Sequence, residues 1–177
     1  MRRSQGITLV ELLTTVAVVA VVGTLAVPGF KGVMRDSARA TAVNAYMHAI
    51  FLARSESIKR NQVVSICRSR DGETCLYGAA SWEQGWMVFV NQDRDEPPVR
   101  DSGEALVILH EGWPSGVITS NRVAYSFRPM AQGMVNGTVV FCDPRGSRHS
   151  RAIIISQTGR PRIAARDADG KPLPCPG

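Results

Sequence analysis

From Ile7 to Val27 the chain runs for 21 residues, ITLVELLTTVAVVAVVGTLAV, with one charge, Glu11. At ~1.5 Å of rise per residue, a helix of that length crosses a ~30 Å hydrocarbon layer. Arg2 and Arg3 precede it, which by the bias of basic residues toward the cytoplasm holds that end of the chain inside. A cleaved secretory signal would close on a small-residue site such as A-x-A. Here the apolar run flows on into further helical sequence, so the segment is expected to be retained as an anchor. Glu11 stands out, because a carboxylate at the centre of a membrane helix costs ~2.5–3.5 kcal/mol and such residues are by default functional. The bland alternative is an acid near the helix end that snorkels to the interface.

The rest of the 177 residues leave room for one domain of ordinary size. A hydrophobic content of 44% with a net charge of +6 excludes a disordered basic tail. The charge is unevenly placed. Between Cys67 and Glu111 nine acids stand against four arginines, whereas Pro144 to Arg166 holds six arginines and no acid. If the six cluster on one face, that face attracts polyanions; if they scatter, it does not.

Beyond Pro28 the segment FKGVMRDSARATAVNAYMHAIFLARSESIKRN keeps helical spacing. Ala38, Ala42, Ala45, Ala49, Leu52 and Ala53 form a stripe three and four residues apart, with Arg35, Arg39, Lys59 and Arg60 off it. One helix is expected from about Ile7 to Arg60, ended by Asn61, its second half laid on a sheet. Short apolar or alternating runs then predict strands at Gln62–Cys67, Gly85–Asn91, Ala105–His110, Val123–Arg128, Thr138–Cys142, Arg151–Ser156 and Arg162–Ala164. The fold class is α+β, a long helix on antiparallel strands.

Four cysteines in an exported domain imply two disulfides, with three pairings open on paper. Cys67 and Cys75 flank Asp71-Gly72, a hairpin-turn signal, so local pairing is expected there. That leaves Cys142 with Cys175, which would staple the tail DADGKPLPCPG to a strand. Buried free thiols are the alternative. No Cys/His spacing of a zinc site occurs, the three histidines are isolated, and the D-x-D element of NQDRDEPPVRDSG lacks the glycine and ligand spacing of a calcium loop. No GxSxG, P-loop, HExxH or paired-carboxylate pattern appears. The expectation is a non-enzyme with no catalytic residues, no metal and no cofactor.

Taken together, the basic leader, Gly6, apolar Ile7, Glu11 and the unbroken apolar run resemble the N-terminal signal of type IV prepilins and type II secretion pseudopilins. The resemblance implies cleavage after Gly6 by a membrane prepilin peptidase and methylation of the new N-terminus, Ile7. It also implies that Glu11 meets the cationic N-terminus of a neighbouring subunit in the fibre. Two buried charges that are costly alone become tolerable when paired across such an interface. The globular half resembles GspH/FimT-like minor pilins through VVSIC, WEQGWMVFVNQD and GTVVFCDPRGSRHSRAIIISQTGRPR, which implies a helix packed on two antiparallel sheets. The implied organisation is a leader at 1–6, a transmembrane half-helix at 7–29, a periplasmic half-helix at 30–61 and a β-rich domain at 62–177. Localisation follows as the bacterial inner membrane, with the globular domain periplasmic and assembled with other pilins into a fibre, in one case at its tip. Trp82 and Trp86 read as core packing rather than a base-stacking platform.

In FimT-like members a GRxR motif carries DNA binding, and here it is Gly159-Arg160-Pro161-Arg162. On an extended segment Arg160 and Arg162 lie ~6–7 Å apart on one face, close to the spacing of successive phosphates. Gly159 lets the backbone approach and Pro161 stiffens the segment. Arg145, Arg148, Arg151 and Arg166 extend the expected patch. The leading function is thus a minor pilin binding DNA non-specifically during uptake for natural transformation. The alternatives are a FimU-type minor pilin priming pilus assembly and a GspH-type pseudopilin of a type II secretion system.

Overall fold

The structure, a computed structural model, describes residues 6–78, 81–129 and 135–176, without the side chains of 25–28. Helix α1 runs from Leu9 to Arg60. Thr8 caps its start, its Oγ1 accepting the Glu11 amide at 3.3 Å. Asn61 stops it in a left-handed conformation (φ 52°), with its amide on the Ile58 carbonyl. This is the αL stop that asparagine tolerates. Two compact units divide between Ser37 and Ala38. In the first, the apolar side chains of α1 face outward: Ile7, Leu9, Val10, Val16 and Val19 are all more than 60% exposed. The helix is long and apolar enough to cross a membrane, and that exposure suits a lipid solvent.

Among its described residues the second unit carries eight strands: β1 Val63–Arg68, β2 Gly85–Asn91, β3 Leu106–Glu111, β4 Val117–Ser120, β5 Ala124–Phe127, β6 Gly137–Cys142, β7 Arg151–Ile155 and β8 Pro161–Ala164. They form two four-stranded sheets, ordered β3-β2-β1-β5 and β4-β6-β7-β8. Every pairing is antiparallel. The seven expected strands are present within a residue or so of their bounds. β4 lies outside the expected strands, although GVITS between a Pro-Ser-Gly turn and Asn-Arg has the β-branched content of a short strand.

The helix stripe is buried, but it is not all small. Ala42, Ala49 and Ala53 let the backbone approach while Val43, Tyr46 and Ile50 fill the space beside them. They meet Val64, Ile66, Trp86 and Val88 of the first sheet and Val139, Phe141, Ile153 and Ile155 of the second. Each fully buried aliphatic contributes ~1.5–3 kcal/mol. Trp82 and Trp86 belong to this core, edge-on to Tyr46 at 5.6 and 5.1 Å. Burial pushes the Tyr46 hydroxyl well above its ordinary pKa, as expected for a phenol taken out of water.

The disulfides are Cys67–Cys75 and Cys142–Cys175. The segment inside the first is not a hairpin. Asp71 organises it by accepting the Glu73 and Thr74 amides, each at 2.9 Å, and these bonds hold its carboxyl well below the usual range. The second bridge fastens Leu173 and Cys175 over Val140, Cys142 and Ala152, on the face of the second sheet turned away from the helix.

Candidate nucleic-acid interface

Strand β7 joins two arginine-rich turns, and the register fixes where each arginine falls. Ile153 and Ile155 point into the main core, so Arg151, two residues earlier and opposite Phe141, lies on that inner side. Arg162 sits opposite Ile154 on edge strand β8, and Ile154 packs on the outer face beside Ala152. Arg162 is therefore on the face away from the helix, and Arg151 is not.

The turn that leads into β7 spends its arginines inward. Asp143, 5% exposed, accepts Arg145 Nε at 2.9 Å and Arg145 Nη2 at 2.8 Å on separate oxygens. The same carboxylate meets Arg39 Nη1 of α1 at 3.4 Å, and Arg39 also donates to the His149 carbonyl. Hydrogen bonds from Arg145, with its charge and that of Arg39 behind them, hold the Asp143 carboxyl down at about 2 despite burial. Arg151 Nη1 donates to the Ser150 carbonyl at 2.7 Å and to the Arg148 carbonyl at 3.3 Å. Arg148 is exposed, and Arg166 rests on the Gly170 carbonyl at 3.0 Å. A single continuous patch of six arginines is thus not what the fold builds. Against expectation, Arg145 is half-buried in an internal ion pair, and Arg39, expected off the packed stripe, is 8% exposed and clasps helix to sheet. Arg39 has no local sequence signal, because its partner lies 104 residues away.

The hairpin that leaves β7 is different. The Gly159 amide donates to the Ser156 carbonyl at 2.8 Å, and the Arg160 amide donates to Ser156 Oγ at 3.2 Å. Gly159 takes φ +72° to close this turn, a conformation that glycine reaches without steric cost. Arg160 and Arg162 are exposed, and neither guanidinium has a protein partner among the described residues. Pro161 opens an edge strand, where its missing N–H costs no ladder bond. Arg160 and Arg162 lie at the hairpin end of β8. By the Ala152–Ala164 register, Arg166 falls near the other end, ~13 Å along the strand.

The turn also meets a cation that sequence reading missed. A Cβ placed on Gly159 would lie 3.6 Å from the Phe127 ring and 3.9 Å from Arg54 Nη1. Arg54 projects from the last turns of α1, four residues before Ile58, and in sequence nothing links it to Gly159.

The acidic stretch from Asp71 to Glu104 largely serves its own loops. Glu104, buried, accepts the Gln92 and Asp101 amides at 2.5 and 3.1 Å, and Asp95 accepts the Val99 amide at 2.8 Å. Among the described residues no cluster of metal-binding side chains occurs.

This architecture, a helix with an apolar N-terminal half and a second half laid on two antiparallel sheets, defines a type IV pilin-like protein. The family model described as type II transport protein GspH matches residues 42–159, and the prokaryotic N-terminal methylation motif matches residues 1–27. The chain belongs to the GspH family. Two crystal structures of the type IV minor pilin FimU of Pseudomonas aeruginosa share the fold at 20% identity. One has a TM-score of 0.52, covering 71% of this chain and 87% of that one. The other has a TM-score of 0.50, covering 70% and 90%. No curated protein matches the chain. The family is structural and non-enzymatic, and its members assemble with other pilins after processing by prepilin peptidase. The family match ends at Gly159, one residue short of the exposed arginine pair.

Proposed function

We propose that this chain is a minor pilin that binds DNA through phosphate contacts from Arg160 and Arg162, in the course of DNA uptake for natural transformation. The observation that carries the reading is the contrast between the two turns: the one turns Arg145 and Arg151 inward, while the other leaves two guanidiniums exposed and without partners on one edge. Phosphate contacts of this kind carry no sequence information, which suits uptake of arbitrary DNA. Arg148 and Arg166 add long-range attraction, Arg145 and Arg151 little.

In the same reading, prepilin peptidase cuts after Gly6, Ile7 becomes the methylated N-terminus, and Glu11 pairs with the N-terminus of a neighbouring subunit. Residues 7–29 cross the inner membrane, 30–61 continue the helix, and 62–177 form the periplasmic domain, exposed in the fibre at or near its tip. The test is a DNA titration of the full chain in non-ionic detergent at two salt concentrations. Binding at low salt that weakens steeply with salt is expected, and undetectable binding at low salt overturns the reading.

A second reading has its own support in the FimU fold match and the GspH family match. It makes the chain a priming minor pilin or a secretion pseudopilin, whose partners are proteins. Deleting the gene would then abolish piliation or secretion, whereas the DNA reading expects lost transformation with pili intact.

A further inference from the structure

We infer that Arg54 of helix α1 is a third phosphate ligand of the proposed DNA interface, taking a phosphate of its own at the tip of the hairpin beside Gly159. The inference rests on the DNA reading above and adds to it a residue from a different element.

Arg54 is half-buried, its carbonyl accepting Ser57 Oγ at 2.8 Å, yet its guanidinium makes no ion pair or hydrogen bond among the described residues. The acid nearest to it in sequence, Glu56, is already committed to Arg60 at 2.5 Å and Lys59 at 3.5 Å. The neighbouring cation, Arg128, is neutralised by Glu96 at 2.8 Å. A guanidinium kept partly from water with no counter-charge is unfavourable by itself, and an arriving anion relieves that cost. Arg54 Nη1 lies 3.9 Å from where a Gly159 side chain would begin, and Arg160 follows one Cα step of ~3.8 Å later. The glycine matters here for a second reason: any side chain would start against the Phe127 ring and beside this guanidinium.

The cleft between helix and hairpin, lined by Arg54, Ile58, Phe127, Thr158 and Gly159, holds about 40 Å³. That space admits a phosphate oxygen. The planar fork of arginine suits bidentate phosphate binding, so the geometry points to the backbone of DNA rather than its bases.

The test titrates the full chain in non-ionic detergent with a fluorescent DNA duplex across a salt series. Arg54→Gln should weaken binding about three- to tenfold and lower the slope of log K against log salt by about 0.9, the value of one phosphate contact. Arg54→Lys should restore the slope. Arg54→Met keeps the aliphatic stem over Ile58 and carries the test if the glutamine variant fails to fold. Arg70→Gln, an exposed arginine bonded to Gln84 past the far end of β1, controls for net charge. If Arg160→Gln weakens binding and both neutral Arg54 variants bind like the parent, the inference fails and the DNA reading stands. An equal loss of slope in Arg70→Gln also overturns it. If the parent itself does not bind, the DNA reading falls, and this inference with it.

Discussion

Into β7 the chain runs through Asp143–Ser150, and out of it through Ser156–Arg160, two glycine-containing basic turns at opposite ends of one strand. In the first, a single buried carboxylate collects Arg39 and Arg145, and backbone carbonyls hold Arg151. In the second there is no acid, and the arginines point to solvent from an edge strand. The difference teaches that an acid-free run is not a run of free cations. Asp143 stands one residue outside the run from Pro144 to Arg166, and that one carboxylate decides the fate of Arg145.

The sharpest way to break this contrast is to remove its centre. Asp143→Asn leaves two guanidiniums facing a neutral amide in a buried site, and such losses cost ~3–5 kcal/mol. A fall of roughly 10 °C or more in the melting temperature is expected. An unchanged melt would show that the first turn is not an internal clasp. Next in size are the disulfides. Converting Cys142 and Cys175 to Ala opens a loop with a separation of 33 residues and should cost ~4 kcal/mol by chain entropy. The Cys67–Cys75 pair, separated by 8, should cost ~2.5 kcal/mol. Denaturant titration of the two double variants tests the order, which the first must lead because its bridge also holds the tail over β6 and β7.

Acid reads the same clasp more gently. The Asp143 carboxyl is lowered to about 2 in the folded state, against an ordinary value near ~3.9 in the unfolded chain. Its contribution is thus complete above about pH 4 and is lost as pH falls from there through 2. The loss amounts to ~2 kcal/mol. Asp71, whose carboxyl is also lowered, acts in the same direction. Thermal melts between pH 5 and 2 should show that loss, and Asp143→Asn should flatten much of it. The smallest expected effect separates the two turns by function. Arg162→Gln should lower the salt slope of DNA binding by about 0.9 with little change in stability. Arg145→Gln should lower stability and leave the slope where it was. Equal slopes lost in both variants would erase the distinction.

Much of the molecule was legible in the chain itself. The helix ends where Asn61 stands, the strands fall on the β-branched runs, and the bridge between Cys67 and Cys75 follows from their closeness in sequence. These are local matters of backbone preference and short-range geometry. The site was only half legible. Gly159, Arg160 and Arg162 were visible as a motif, but the alternation along β7 that sends Arg151 inward depends on which face meets the helix. The burial of Arg39 and the position of Arg54 are not written locally, for the same reason: one partner of each, Asp143 and Gly159, lies more than 100 residues away.

The sequence by itself determined an apolar anchor, a helix laid on strands, two covalent staples and a basic C-terminal stretch, because hydropathy, periodicity and turn chemistry are written in neighbouring residues. Only the tertiary structure decided which arginines are neutralised and which stay available. A charge is cancelled by what lies within ~4 Å of it in space, and in this fold those partners come from distant parts of the chain.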